Sequence, residues 1–318
     1  MLRYIIKRLL LMIPVLIGVI ALVFTILWFS PGDVVSSLTS DLATEEQKAE
    51  VRHDLGLDRP FIVQLGDYVL GVFTRFDLGT SLVNKTNISK DLASRFPNSL
   101  RIAVIGISMS IIIGVPLGVY AALNQNKAGD AAAMAVALLG VSTPGFWIAL
   151  MLMLLFAYRF PILPAFGLGS WKHWVLPGLA TSMMGVARQA RQSRSSMLEV
   201  IRSDYVMMAK AKGLTARRVI WRHALPNALM PLITVAGMSF GALLGGGLIV
   251  ERVFSIPGLG GYLVDAVNSR DFRAVQGAVV LTSLCFCVVM LFCDILMAAI
   301  DPRIKAQYAG KRRRKKHA

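Results

Sequence analysis

The sequence predicts an all-α integral membrane protein, and three observations carry that prediction. Of its 318 residues 55% are hydrophobic and only 16% charged, with a mean hydropathy of +0.62, whereas charged residues make up about a quarter of a soluble globular domain. Several apolar runs approach the roughly 20 residues that a helix needs to cross a bilayer core. The basic excess, a net charge of +16, collects in alternate inter-run segments, as it does in polytopic membrane proteins.

Six runs are read as transmembrane helices, at 9–29, 102–123, 131–158, 173–187, 228–250 and 276–300. The first follows Arg3, Lys7 and Arg8. It is longer than the roughly 7–15 residues of a cleavable signal core and no small-x-small site follows it, so residues 1–30 are read as a retained helix. The fourth run is short, and it crosses only as a helix that continues past Arg188 with its arginines snorkelling to the interface. With six crossings, one side collects 21 Lys and Arg against five acids and the other 13 against 13. The richer side is read as cytoplasmic, with both termini on it. Attraction to anionic lipid headgroups, not nucleic acid, is the reading of the basic tail 301–318.

Residues 31–97 are too long for a turn and read as a small external helical subdomain. Thr44 and Gln47 stand at capping-box spacing before a helix that ends near Gly56, and Asp58-Arg59-Pro60 forms a turn before the periodic run 62–72. Such a subdomain either binds a partner or caps the spans. Residues 98–300 form a five-helix core with a cytoplasmic loop at 195–227 and an external loop at 251–275. The third span is interrupted by Ser142-Thr143-Pro144-Gly145, where freed backbone groups need a packing kink or a water-filled path. Ser142, Thr143, Pro144 and Ser239 are the candidate path residues. In the fifth span Gly237, Gly241 and Gly245 recur every four residues, a close-approach face for either internal packing or a permease-permease interface.

No chemistry of catalysis is legible. Neither HExxH, GxSxG nor GxxxxGK[ST] occurs, and the four histidines are scattered. Cys285, Cys287 and Cys293 have neither metal nor disulfide spacing and read as small packing residues. Asp294, the one acid within a span, is either functional or paired with a nearby base. The spans carry few of the polar groups that an ion-coupled carrier or channel buries. The energy for any transport cycle therefore enters from outside the chain, and the cytoplasmic loop is its place of entry.

In that loop, 204–212 reads as a helix ended by Gly213 in a left-handed cap. Thr215 caps a second short helix through Arg222, which Pro226 stops. From pattern alone this hairpin either rests on headgroups or docks on a partner. Its residues Asp204-Tyr205, Ala209-Lys210-Ala211-Lys212-Gly213 and His223-Ala224-Leu225-Pro226-Asn227 resemble the cytoplasmic EAA loop of ABC importer permeases, in the dipeptide, oligopeptide, nickel and glutathione group. Pro31-Gly32-Asp33, Leu55-Gly56-Leu57-Asp58-Arg59-Pro60 and Asp77-Leu78-Gly79-Thr80-Ser81 resemble that group's external segment. Glu251-Arg252-Val253-Phe254-Ser255-Ile256-Pro257-Gly258-Leu259-Gly260, with Arg270-Asp271, resembles its outer loop. Phe76 departs from the pattern by standing where the group has glycine, and the loop 159–172 is short.

The resemblance implies a type I ABC importer permease of the bacterial cytoplasmic membrane, most simply for short peptides, with nickel, glutathione or oligosaccharides as alternatives. It implies a homologous second permease, two cytoplasmic ATPases and an external substrate-binding protein as partners. ATP and Mg sit on the ATPases and no cofactor on this chain. Asp204, Tyr205, Ala209, Lys210, Ala211, Lys212, Gly213, Arg217, Arg218, His223, Pro226 and Asn227 are then the ATPase-coupling residues. By the same resemblance Glu251, Phe254, Pro257, Gly258, Arg270 and Asp271 contact the binding protein. The rival class is a non-transporting scaffold or receptor whose basic loop binds a signalling partner.

Overall fold

The computed structural model describes residues 2–30, Val35, Thr39 and 43–300. Pro31-Gly32-Asp33 and the basic tail lie outside the described residues. Among the described residues the only β-structure is a single bridge between Thr80 and Asn87. The first helix, α1 (Leu2–Trp28), exposes Leu9, Leu10, Leu11, Val15, Leu22 and Ile26, an apolar outer face of the kind lipid requires. Arg8 near its start is paired with Asp294 at 3.0 Å, so the acid within the last span has the structural role of an ion-pair partner. At the other end Phe24 and Trp28 meet Phe61 edge-on at 5.4 and 5.5 Å, which ties α1 to the external subdomain.

That subdomain consists of α2 (Glu45–Asp54) and α3 (Phe61–Arg75). The Thr44/Gln47 capping box is formed in both directions. His53 Nδ1 lies 2.7 Å from Asp58, a hydrogen bond that raises the histidine above its ordinary pKa. α3 ends at Phe76 with φ 52° and ψ 30°, so a phenylalanine holds the left-handed turn that glycine usually occupies.

The centre of the bundle is the pair α4 (Ile88–Leu123) and α7 (Val175–Ile201), which share the most extensive helix-helix interface in the chain. Their closeness depends on small residues. A Cβ on Gly118 would lie 2.3 Å from the Ala190 carbonyl oxygen, and one on Gly185 would lie 2.2 Å from Ser110 Oγ. The four-residue recurrence Gly106, Ser110, Gly114, Gly118 is a small-residue face of the kind that lets membrane helices touch. This face was legible in the sequence, but the reading above placed its close-approach stripe on the fifth span alone.

The expected interruption of the third span is a full corner. α5 (Ala128–Ser142) and α6 (Gly145–Met153) meet at Thr143-Pro144, and the two arms, the second running on to Arg159, diverge by 98°. By length and apolarity four helices qualify as spans, at 5–28, 88–123, 216–245 and 272–300, and the bent pair counts as a fifth. The expected span at 173–187 is nearly twice as long as its apolar run. It forms α7, which is too polar along its length to qualify by composition and packs its other faces on α4, α5 and the helix that follows the 204–227 loop.

After α8 (Asp204–Ala211) the chain turns and enters one continuous helical rod: Ala216–Arg218, a wide π turn Val219–Ala224, then α9 (Leu225–Gly246). Pro226 therefore does not stop a helix. In a regular α-helix its ring would press on the Arg222 carbonyl, and the wide turn just before it loosens the ladder at that point. Thr215 also departs from expectation: its side chain makes no cap bond, and only its carbonyl accepts, from Val219 N at 3.0 Å. α10 (Leu248–Val253), α11 (Leu259–Asn268) and α12 (Phe272–Ile300) complete the chain. Gly237 faces Cys293, and Gly241 faces the Phe286 ring so tightly that a Cβ would come within 2.0 Å, while Gly245 faces open space. Two of the three glycines thus pack α9 on α12. All three cysteines are free.

Candidate functional site

The loop 204–227 is built as a rigid ledge. Asp204 in the first turn of α8 and Lys210 in the last suit the helix dipole. Val206 and Ala209 are buried against Met197, Val119, Ala122, Val219, Ala224 and Ala228, so α8 is held by its apolar side to the ends of α4, α7 and the rod. Ala209 thereby serves the chain's own core and is not offered to a partner. α8 closes with a Schellman motif: Gly213, at φ +75°, donates its N–H to Lys210 at 3.0 Å, and Leu214 N–H donates to Ala209 at 3.4 Å. Leu214 folds back onto the same core. Gly213 is fully open on its outer side, with nothing within 4 Å of where a Cβ would stand.

The opposite side of the ledge is exposed. It presents Tyr205, Met207, Met208 and Trp221 among Lys210, Ala211, Lys212, Arg217, Arg218 and Arg222. Arg217, Arg218 and Trp221 with Thr215 line a shallow hollow. His223 is half-buried and its carbonyl accepts from Asn227 Nδ2 at 2.9 Å, while Pro226 and Asn227 are exposed. Methionine, tryptophan and arginine are residues that protein interfaces favour, and their concentration on a ledge with a buried apolar underside suits docking.

Behind the ledge stands a brace that the sequence reading missed. Arg194 on α7 forks onto buried Asp130, at 2.7 Å from Nε and 2.6 Å from Nη2, while Asp130 also accepts from Asn126 N at 3.1 Å. Arg202 reaches Gln125 at 3.1 Å. The α4-α5 corner is thus tied to the last third of α7, just before α8 begins. A bidentate guanidinium-carboxylate pair has directional stiffness as well as charge.

The outer corner has the reverse character. Glu251 is 2% exposed. Its carboxylate accepts from Ser99 Oγ at 2.6 Å and from Gly261 N at 3.0 Å, and Ser99 in turn accepts from Leu259 N at 2.7 Å. Gly258 lies directly against that carboxylate, where a Cβ would approach within 2.2 Å. Phe254, 1% exposed, packs with Ile102, Ile148 and Trp174. Buried Asp271 accepts from Ser81 Oγ, from Leu82 N at 3.2 Å and from Ala274 N at 3.2 Å. The expectation that Glu251, Phe254, Gly258 and Asp271 touch an external protein is therefore corrected: they are buried anchors that hold α10, α11 and the 80–87 turn together. Pro257 and Arg270 remain exposed.

The candidate path residues do not form one group. Ser142 and Pro144 are exposed at the α5-α6 corner, and Thr143 Oγ1 donates to the Leu139 carbonyl of its own helix at 2.7 Å. Ser239, on α9, lines a separate hollow with Arg188, Arg191, Gln192, Val235 and Met238.

The bent-helix bundle, with its exposed 204–227 ledge and its buried clasp at 251–271, is that of a polytopic membrane permease of type I importer fold. Residues 114–306 match the model of the binding-protein-dependent transport system inner membrane component, and residues 1–103 match that of the N-terminal portion of such membrane components. The chain belongs to this family. It is 39% identical over 305 residues to the glutathione transport system permease protein GsiC of Salmonella choleraesuis, covering 96% of this chain and 99% of that protein. It is 38% identical over 333 residues to the dipeptide transport system permease protein DppB of Alkalihalophilus pseudofirmus, covering 96% and 100%. The inward-facing MetNI methionine ABC transporter shares the fold with a TM-score of 0.55 at 17% identity, over 66% of this chain and 96% of that one.

Proposed function

We propose that this chain forms half of the translocation path of an ATP-driven importer of short peptide-like cargo, dipeptides, oligopeptides or glutathione. In this reading it pairs with a homologous second permease and receives cargo from an external binding protein. Through the 204–227 ledge it docks on one of two cytoplasmic ATPases, which carry the ATP and Mg and perform the hydrolysis. Both termini face the cytoplasm of a bacterium, the side to which the positive-inside rule assigns the basic loops.

The observation that carries the reading is the ledge: α8 is clamped to the core by Val206 and Ala209 while its other side exposes bases and large apolar residues. A ledge fixed at its root transmits rigid-body motion of a partner into the α4-α7 centre, the kind of movement by which packed helices switch between arrangements. Lipid headgroups alone need no Schellman-capped turn or bidentate brace behind them. The test is co-purification from mild detergent followed by ATP hydrolysis with and without external binding protein. Recovery of a second permease and ATPases, with hydrolysis that rises on adding binding protein, is the expected result. A chain that purifies alone and hydrolysis-free from several detergents overturns it.

A further inference from the structure

The exposed face of α7 cannot be a lipid face. On α1 beyond Arg8, and on α12, the exposed side chains are apolar: Leu9, Leu10, Leu11 and Val15 on one, Val288, Phe292 and Leu296 on the other. On α7 the exposed stripe reads Met184, Arg188, Arg191, Ser195 and Glu199, at the three- and four-residue spacing that places them on one side of a helix. Arg188 stands at the midpoint of α7, roughly 20 Å from either end at 1.5 Å per residue. An arginine set into hydrocarbon costs about 2.5–3.5 kcal/mol even by the most lenient scale, so such residues face water or protein. In the single chain this stripe is open, although the rest of α7 is packed at the centre of the bundle.

The hollow along the stripe is closed on its second side by α9. Arg188 and Arg191 share it with Gln192 and with Ser239, which is 4% exposed, while Val235 and Met238 form its apolar rim. Two guanidinium forks, an amide and a buried hydroxyl offer many donors in one place. A guanidinium matches a carboxylate two bonds at a time. From this we infer that Arg188 and Arg191, with Gln192 and Ser239, form a cationic recess on the translocation path that takes the carboxylate of the passing cargo. The inference rests on the importer reading above and deepens it: the cargo is an anionic or zwitterionic molecule with a free carboxylate, not a neutral sugar or a bare metal cation. The recess replaces part of the hydration that the carboxylate loses on entering the bundle.

The test uses the full complex with second permease, ATPases and binding protein, in proteoliposomes, with Cys285, Cys287 and Cys293 replaced by alanine. Arg188→Cys and Arg191→Cys are each exposed to a sulfonate-bearing and an ammonium-bearing methanethiosulfonate reagent. The remaining arginine should make the anionic reagent faster by roughly tenfold, as a focused cationic site does. Changing that remaining arginine to glutamine should erase the preference, and a transported dipeptide or glutathione should slow the reaction. Failure of both reagents to react, or equal rates with both, overturns the recess. A preference that ignores cargo but is suppressed by anionic lipid, growing in vesicles of neutral lipid alone, makes it a headgroup site and overturns the cargo assignment. As a second readout, Arg188→Gln should lower uptake by about tenfold, the loss of a charge-assisted donor pair to the cargo being worth some 1.4 kcal/mol, and Arg188→Lys should restore most of it. Equal uptake by Arg188→Gln and the parent overturns the proposal. If the parent complex itself moves neither cargo while the reagent preference stands, it is the importer reading that fails.

Discussion

The 251–271 corner and the 204–227 ledge are the two most conspicuous motifs of the sequence, and the structure uses them in opposite ways. At the outer corner Glu251, Phe254 and Asp271 point inward and are 2%, 1% and 1% exposed, tying three helices and a turn to one another. At the ledge Tyr205, Lys210, Lys212 and Trp221 point outward, while Val206, Ala209, Val219 and Ala224 face the core. A string of polar and glycine residues next to a span can thus be an internal clasp or an external dock. What separates the two is whether the charged groups have hydrogen-bond partners within the chain. Glu251 and Asp271 have several each, whereas the bases of the ledge are left to solvent.

That contrast predicts different failures, and the largest belongs to the ledge. Gly213→Asp is expected to abolish uptake while leaving the protein at normal abundance in the membrane. Aspartate tolerates a left-handed backbone better than most residues, and nothing within 4 Å obstructs its Cβ, so the fold survives. The side chain and its negative charge would stand on the exposed face proposed to dock. Uptake at the parent rate would remove the docking role; loss of the protein from the membrane would make the turn a folding element like the outer corner.

At the outer corner the failure should be one of folding. Glu251→Ala strands the Ser99 hydroxyl and the Gly261 N–H in a site closed to water and leaves a hole beside Gly258. A cost of about 2–4 kcal/mol follows from unsatisfied buried donors plus a cavity, visible as a fall in membrane abundance and in the midpoint of thermal unfolding in detergent. Residual protein should keep its ATPase coupling. A variant that is as stable as the parent but uncoupled from the binding protein would return Glu251 to the role of a contact residue.

Within the bundle a smaller test uses the glycines of α9. Gly241→Ala places a methyl against the Phe286 ring and should cost about 1–3 kcal/mol, the usual range for overpacking. Gly245→Ala, facing open space, should be neutral or slightly stabilising. Thermal unfolding of the two variants side by side decides it, and equal effects would mean that α9 and α12 do not pack as described.

Much of this was legible in the chain itself. The capping box at Thr44, the cap at Gly213 and the break at Pro144 depend on local backbone chemistry, and local chemistry can be read from neighbouring residues. The Arg194-Asp130 brace and the Glu251-Ser99 clasp join residues 64 and 152 positions apart, and no local pattern announces such partners. Pro226 misleads for a related reason: a proline is a stop signal in a regular α-helix, but a wide turn that ends two residues earlier absorbs it. The polar stripe of α7 could have been found from the spacing of Met184, Arg188, Arg191, Ser195 and Glu199. It was passed over because that segment was judged as a weak span and not as a helix with two faces.

The gentlest probe compares two helix ends that share a backbone shape. α8 ends with Gly213 at φ +75° and α3 with Phe76 at φ +52°. A left-handed backbone costs an ordinary L-residue about 1–2 kcal/mol, and glycine escapes that cost but loses more chain entropy on folding, about 0.5–1 kcal/mol. Phe76 is 81% exposed, so removing its ring sacrifices little packing. Phe76→Gly should therefore stabilise the external subdomain by a net amount of up to about 1 kcal/mol, a rise of a few degrees in thermal midpoint. Among the described residues the ring finds little packing to offset the cost of the turn. If Phe76→Gly is more stable yet responds less to the external binding protein, the ring is a contact kept at the expense of the turn. The outer face then docks through α3 and not through the clasp. If it is more stable and equally active, only the ledge carries a docking role and the contrast between the two faces is complete.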